Sequence, residues 1–109
     1  MVYKPKEVNI LGINYKISYC KNPADVNIDK QKVLWGEHDP WTRTIRLYDK
    51  DKPIEDIWQV LIHEILHGIS DMLHLKMDTT TEDHDKLDII ALAMVDVLVR
   101  NKWMVIEDE

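Results

Sequence analysis

Cysteine is nearly absent: Cys20 is the only one in 109 residues. A lone thiol makes no internal disulfide and rules out a zinc cluster built from cysteines. The simplest compartment for such a chain is a reducing cytosol. Long apolar runs are missing too. None reaches the roughly 18 residues that a membrane-spanning helix needs. Met1 to Glu7 also lack the apolar stretch of a secretory signal, so a cytoplasmic chain with no membrane partner is expected. Positive charge is in deficit, with 14 Lys and Arg against 20 Asp and Glu for a net charge of −6. That sign repels a phosphate backbone and removes nucleic acid from the expected partners. There is no repeat, no low-complexity tract and no linker. What is present, 45% apolar and 31% charged residues, suffices for a core and excludes a disordered chain. One domain covering residues 1–109 is expected.

The apolar pattern changes period near residue 53. Before it, apolar residues alternate. Ile13, Tyr15, Ile17 and Tyr19 fall on one face of a strand, and Leu11-Gly12 reads as the tight turn of a hairpin that begins near Val8. Residues 21 to 32 are polar, with Asn22-Pro23 as a turn signal, and read as a loop. Val33 to Gly36 reads as a short strand leading to a turn around His38-Asp39-Pro40. Arg43 to Tyr48 alternates again, with Ile45 and Leu47 on one face. These segments predict a small, mostly antiparallel sheet of three or four strands. After Pro53 the period is helical. Ile57, Leu61, Ile65, Ile69 and Met72 predict one amphipathic helix to about Leu75, with Glu55 and Asp56 at the positive end of its dipole. Thr79 to Thr81 offer N-caps for a second helix. Its stripe is Leu87, Ile90, Ala91, Met94 and Leu98, and it ends near Asn101. Trp103 to Ile106 read as a closing strand or a docked tail. The fold class is α+β, a small sheet followed by two packed helices.

His63-Glu64-Ile65-Leu66-His67 stands among the apolar positions of the first helix, an H-E-x-x-H arrangement. Residues four apart stack on one helical face, so His63 and His67 can take two corners of a tetrahedral zinc site. Glu64 is turned by about 100° from His63. It stands beside such a metal without ligating it, and can take a proton from a water that the zinc acidifies. Three buried polar side chains are costly unless satisfied, and a metal satisfies all three.

A catalytic zinc takes a third protein ligand and keeps its fourth position open. The longer pattern H-E-x-x-H-x-x-G-x-x-H is excluded by Ser70 and Leu73. His74 shares a face with His67 but lies about 10.5 Å further along the axis. It reads as a surface residue at the helix C-terminus. His84, at the start of the second helix, is better placed, with Asp88 one turn later on the same face. Imidazole is the better zinc ligand, so His84 is preferred and Asp88 is the alternative third ligand. Both can serve if one ligates and the other supports a ligand imidazole. His38 reads as a turn residue that can also project toward the cleft. Tyr48 reads as an edge aromatic that can also stabilise an oxyanion. Cys20 reads as a small buried apolar residue.

In order, the segment Leu11 to Ile17, then Trp35-Gly36, Thr44 to Leu47, Leu61 to Ile69 and a second helix resemble a known family. It is the small phage- and prophage-associated metallopeptidases of the ImmA/IrrE-like zincin group. The resemblance covers nearly the whole chain, and its sharply specific part is the segment around His63 to Ile69. It implies a minimal zincin-like fold and a Zn2+ cofactor held by His63, His67 and a residue of the second helix. Glu64 would be the catalytic base, and the partner a protein or peptide substrate. The group's third ligand is commonly Glu. This sequence departs there and offers His84 or Asp88. In zincins the strand before the active-site helix lies along the cleft and pairs with an extended substrate, which here would be Arg43 to Tyr48. The expected activity is zinc-dependent hydrolysis of a peptide bond. Its competitor is a catalytically silent metal-binding interaction module on the same fold, in which Glu64 has no task.

Overall fold

The computed structural model describes residues 4–22, 35–76 and 80–101. Four strands precede two helices: β1 Glu7–Ile10, β2 Ile13–Cys20, β3 Gly36–Asp39, β4 Thr44–Tyr48, α1 Ile54–Met72 and α2 Thr81–Arg100. The domain is α+β, as the change of period implies. The strands form one mixed sheet in the order β1-β2-β4-β3. β1 and β2 pair antiparallel, as do β3 and β4, while β2 and β4 run parallel. At the β1–β2 turn Leu11 and Gly12 take φ of 51° and 92°. Positive φ at both central residues gives the turn whose twist suits a two-residue hairpin. Asn9 Oδ1 accepts the Gly12 N–H at 2.9 Å, which supports the left-handed step at Leu11.

The alternating residues become the core. Tyr15 and Ile17 of β2 and Ile45 and Leu47 of β4 are buried with Ile10, and they meet Ile54, Ile57 and Leu61 of α1. A second side of α1 carries Ile62, which packs with Ala91 and Val95 of α2. Sheet and α2 thus cover two sides of α1. By helical phase the third side carries His63 and His67.

The helix ends explain the boundaries. α1 starts after Pro53 and stops at Met72, three residues before the apolar period runs out. Its end is closed by the Leu75 N–H on the Ser70 carbonyl at 2.9 Å and the His74 N–H on the Asp71 carbonyl at 3.3 Å. His74 holds the left-handed position, φ 55°, where glycine is usual. α2 starts on Thr80, whose Oγ1 accepts the Asp83 N–H at 3.0 Å.

Two details differ from the sequence reading. β3 begins at Gly36, the residue at which the alternation puts its end, so His38 and Asp39 are strand residues. The turn follows them because the Asp39 carboxylate accepts the N–H groups of Trp41 and Thr42 and the Thr42 hydroxyl, a side-chain closure typical of the first residue of a turn. In α2 the buried positions are Leu87, Ala91 and Val95, whereas Ile90 and Met94 are 38% and 39% exposed. Residues 89 to 99 are apolar apart from Asp96, so period alone selects no face. Contact with α1 falls on the small Ala91. Residues 23–34, Thr79 and Trp103 to Ile106, with the loop, strand start, cap and tail read there, lie outside the described residues. No helix among the described residues is long and apolar enough to cross a membrane.

Candidate metal centre

α1 presents His63 and His67 one turn apart, and the capped first turns of α2 bring His84 to them. His63 Nε2 lies 3.0 Å from His67 Nε2 and 3.1 Å from His84 Nε2. Three imidazoles therefore turn the same nitrogen toward one point, and together they could hold a metal ion. Zn–N bonds of 2.0–2.1 Å in a tetrahedron put ligand nitrogens roughly 3.3 Å apart, within a few tenths of an ångström of these separations. A single shared proton can join only two of the three lone pairs, whereas a metal satisfies them all. The donor set fits a metal ion.

His63 is the most enclosed of the three. Burial, with the nearby charges of His67 and His84, lowers its pKa from 6.5 to about 4, opposed by Asp88. Its Nδ1 is buried without a hydrogen bond among the described residues, and Asp88 Oδ1 stands 3.5 Å away. Asp88 therefore sits on the far side of the ring from the converging nitrogens. It is placed to support an imidazole rather than to join the cluster.

Glu64 faces the sheet edge. Its Oε2 is 4.0 Å from His63 Nε2. Burial raises its pKa from 4.5 to about 8, a hydrogen bond from the His38 backbone lowers it, and the charge of Glu37 raises it. Gly36 makes this approach possible. A Cβ there would meet Val60 Cγ1 at 2.6 Å and Glu64 Cγ and Oε2 at 3.1 Å. The edge strand thus lies on α1 at the position of the carboxyl group.

An open cleft of about 380 Å3 runs along the cluster, lined by residues that include Gly36, Glu37, His38, Glu64, His67, Asp71 and His84. His38 projects into it from β3 and is held from behind by Tyr15, whose hydroxyl is 2.9 Å from His38 Nε2. Burial, helped by Asp71, raises the Tyr15 pKa. Tyr48 packs on Trp35, ring centroids 5.4 Å apart, and does not line the cleft. His74 caps α1, and Cys20 is half-buried rather than buried. β4, expected along the cleft, is an inner strand bonded to β2 and β3. It has no free edge, and β3 is the strand that borders the site. The sequence reading missed Asp71 and Glu37. Asp71 carried a signal, because it lies four residues beyond His67 and so shares its face.

Fold and site together define a small α+β domain with a three-histidine centre able to hold a metal ion. No family model, curated protein or solved structure matches the chain.

Proposed function

We propose that this chain is a zinc-dependent metallopeptidase. The observation that carries the reading is the convergence of three imidazole Nε2 atoms beside a buried carboxyl group on the wall of an open cleft. Three histidine ligands leave a fourth position free, the arrangement of catalytic rather than structural zinc. When bound, zinc supplies Lewis acidity toward the scissile carbonyl and acidifies water. His63, His67 and His84 hold the ion, and Asp88 steadies the His63 ring from its Nδ1 side. Glu64 takes a proton from the attacking water and returns it to the leaving amine. The edge strand β3 offers main-chain groups to an extended peptide by strand addition. The H-E-x-x-H helix, the histidine from a second helix and the preceding sheet support kinship with the ImmA/IrrE-like zincins. A cytoplasmic protein or peptide substrate in a phage or prophage setting is the corresponding partner.

Metal analysis and peptide hydrolysis test this together. Mass spectrometry of the native protein should find about one zinc per chain, lost in His63→Ala and in His84→Ala. A quenched-fluorescence peptide library should be cut by the zinc-loaded protein. Glu64→Gln should cut it at least about a hundredfold more slowly while keeping its zinc. Stoichiometric zinc without cleavage of any peptide would leave a silent metal-binding module, and failure to take up zinc would overturn both readings.

A further inference from the structure

The charge of the cleft points to the class of peptide it takes. A second hollow, of about 260 Å3, shares Gly36, Glu64 and His84 with the first. Besides Glu64, the walls carry Glu37 and Asp71 on one side and Asp85 and Asp88 on the other. Among the described residues no Lys or Arg lines either hollow. The whole chain has 14 Lys and Arg to 20 acids, so this lining is not an average sample of its surface. Glu37 is engaged by Arg46, and Asp88 faces His63. Asp71 and Asp85 are exposed, and neither forms an ion pair among the described residues. At the rim of the second hollow Trp35 is occupied by a cation of the chain's own, Lys52 Nζ at 3.9 Å from its ring centroid.

We propose that the cleft selects cationic peptides, with Lys or Arg one or two residues from the bond that lies at the histidine cluster. The preference rests on the metallopeptidase reading and names its substrate class. Asp71 is one helical turn past His67, roughly 6 Å along the axis. An extended peptide advances about 3.3 Å per residue, so a side chain two residues from the scissile bond is level with that carboxylate. Asp85 offers the same at the other mouth, next to His84. Unpaired among the described residues, the Asp71 and Asp85 carboxylates draw in positive charge and turn away negative charge.

Binding can be read without hydrolysis. The zinc-loaded Glu64→Gln protein is titrated into two fluorescein-labelled decapeptide pools that differ only in carrying Lys or Glu at the positions flanking the centre. Fluorescence anisotropy should show the Lys pool bound at least about tenfold more tightly at low salt, with the advantage shrinking at physiological salt. Asp71→Lys combined with Asp85→Lys should abolish or reverse that order, and Asp71→Asn should weaken it, with zinc content unchanged in both. Equal binding of the two pools, tighter binding of the Glu pool, or no binding of either overturns the preference. Cleavage by the wild-type protein separates the two ideas. Both pools cut at equal rates would remove the cationic preference and keep the peptidase. Selective binding of the Lys pool without zinc-dependent cleavage would remove the peptidase and keep the cationic cleft.

Discussion

Glu64 and His63 are neighbours whose burial has opposite consequences. In the metal-free protein Glu64 has a pKa of about 8 against an ordinary 4.5, and His63 about 4 against 6.5. Between pH 4.5 and 8 the folded state holds more protons at Glu64 than the unfolded chain does. That contribution is present below pH 4.5 and lost as pH rises toward 8. Between pH 4 and 6.5 the folded state holds fewer protons at His63, so its contribution is present above 6.5 and lost as pH falls toward 4. The two slopes cancel from 4.5 to 6.5, which leaves a loss of about 1.4 kcal/mol per pH unit from 6.5 to 8. Urea unfolding of the chelator-treated protein at closely spaced pH values checks this, and Glu64→Gln should flatten the decline. Stability that stays level or rises over that window in the wild type would mean that Glu64 ionises freely in the fold. A second residue-level consequence concerns His74, which occupies the left-handed position that closes α1. His74→Gly should stabilise the protein by about 0.5–1 kcal/mol in the same assay. No loss of zinc should accompany it, since His74 stands outside the cluster. The histidines of α1 were legible in the sequence because spacing of four has only one meaning on a helix. The same rule reaches Asp71. It does not reach Asp88, whose position at Nδ1 rather than Nε2 of His63 depends on how α2 is rotated against α1.

That rotation, and the reach of the edge strand, belong to the elements. The hairpin at Leu11-Gly12 and the helical period after Pro53 were readable because each is a local signal. The phase of α2 was not, because residues 89 to 99 are apolar nearly all round and only contact with Ile62 singles out Ala91 and Val95. The position of β3 depends on Asp39 closing the turn that follows it, a tie that alternation does not register. Two substitutions probe how these elements hold the site. Gly36→Ala forces a Cβ against the stiff Val60 and against Glu64. It should destabilise the fold by about 1–3 kcal/mol and lower hydrolysis more than zinc affinity, because all three histidines lie on helices. Val60→Ala added to it should recover part of both losses. Thr80→Ala removes the cap of α2. It should cost about 1 kcal/mol in urea unfolding and weaken zinc binding up to about fivefold, since the turn that frays carries His84. Thr80→Ser should behave as wild type. A Thr80→Ala protein with unchanged zinc affinity would mean that His84 is held by packing alone.

For the whole molecule, the histidine cluster is also a tie between layers. α1 packs on the sheet through Ile57 and Leu61, while α2 joins α1 through a smaller cluster of Ile62, Ala91 and Val95. The outer side of α2, with Ile89, Leu92 and Val97, is exposed, so among the described residues this helix is held from one side. An ion bound by His63 and His67 of α1 and His84 of α2 would crosslink the two helices. It also replaces the unfavourable meeting of three nitrogens with three bonds. On the proposed reading zinc binds the folded arrangement in preference to the unfolded chain, so free zinc at a thousand times its Kd should add about 4 kcal/mol of stability, a rise in Tm on the order of 15 °C for a domain of this size. Calorimetry with zinc and with chelator measures the difference directly. His84→Ala should lose most of the zinc-dependent rise while keeping the Tm of the chelator-treated protein, because His84 is exposed and is absent from the apolar clusters. If zinc raised the Tm of His84→Ala as much as that of the wild type, the ion would be held within α1 or elsewhere, and the bridge between the two helices would have to be abandoned.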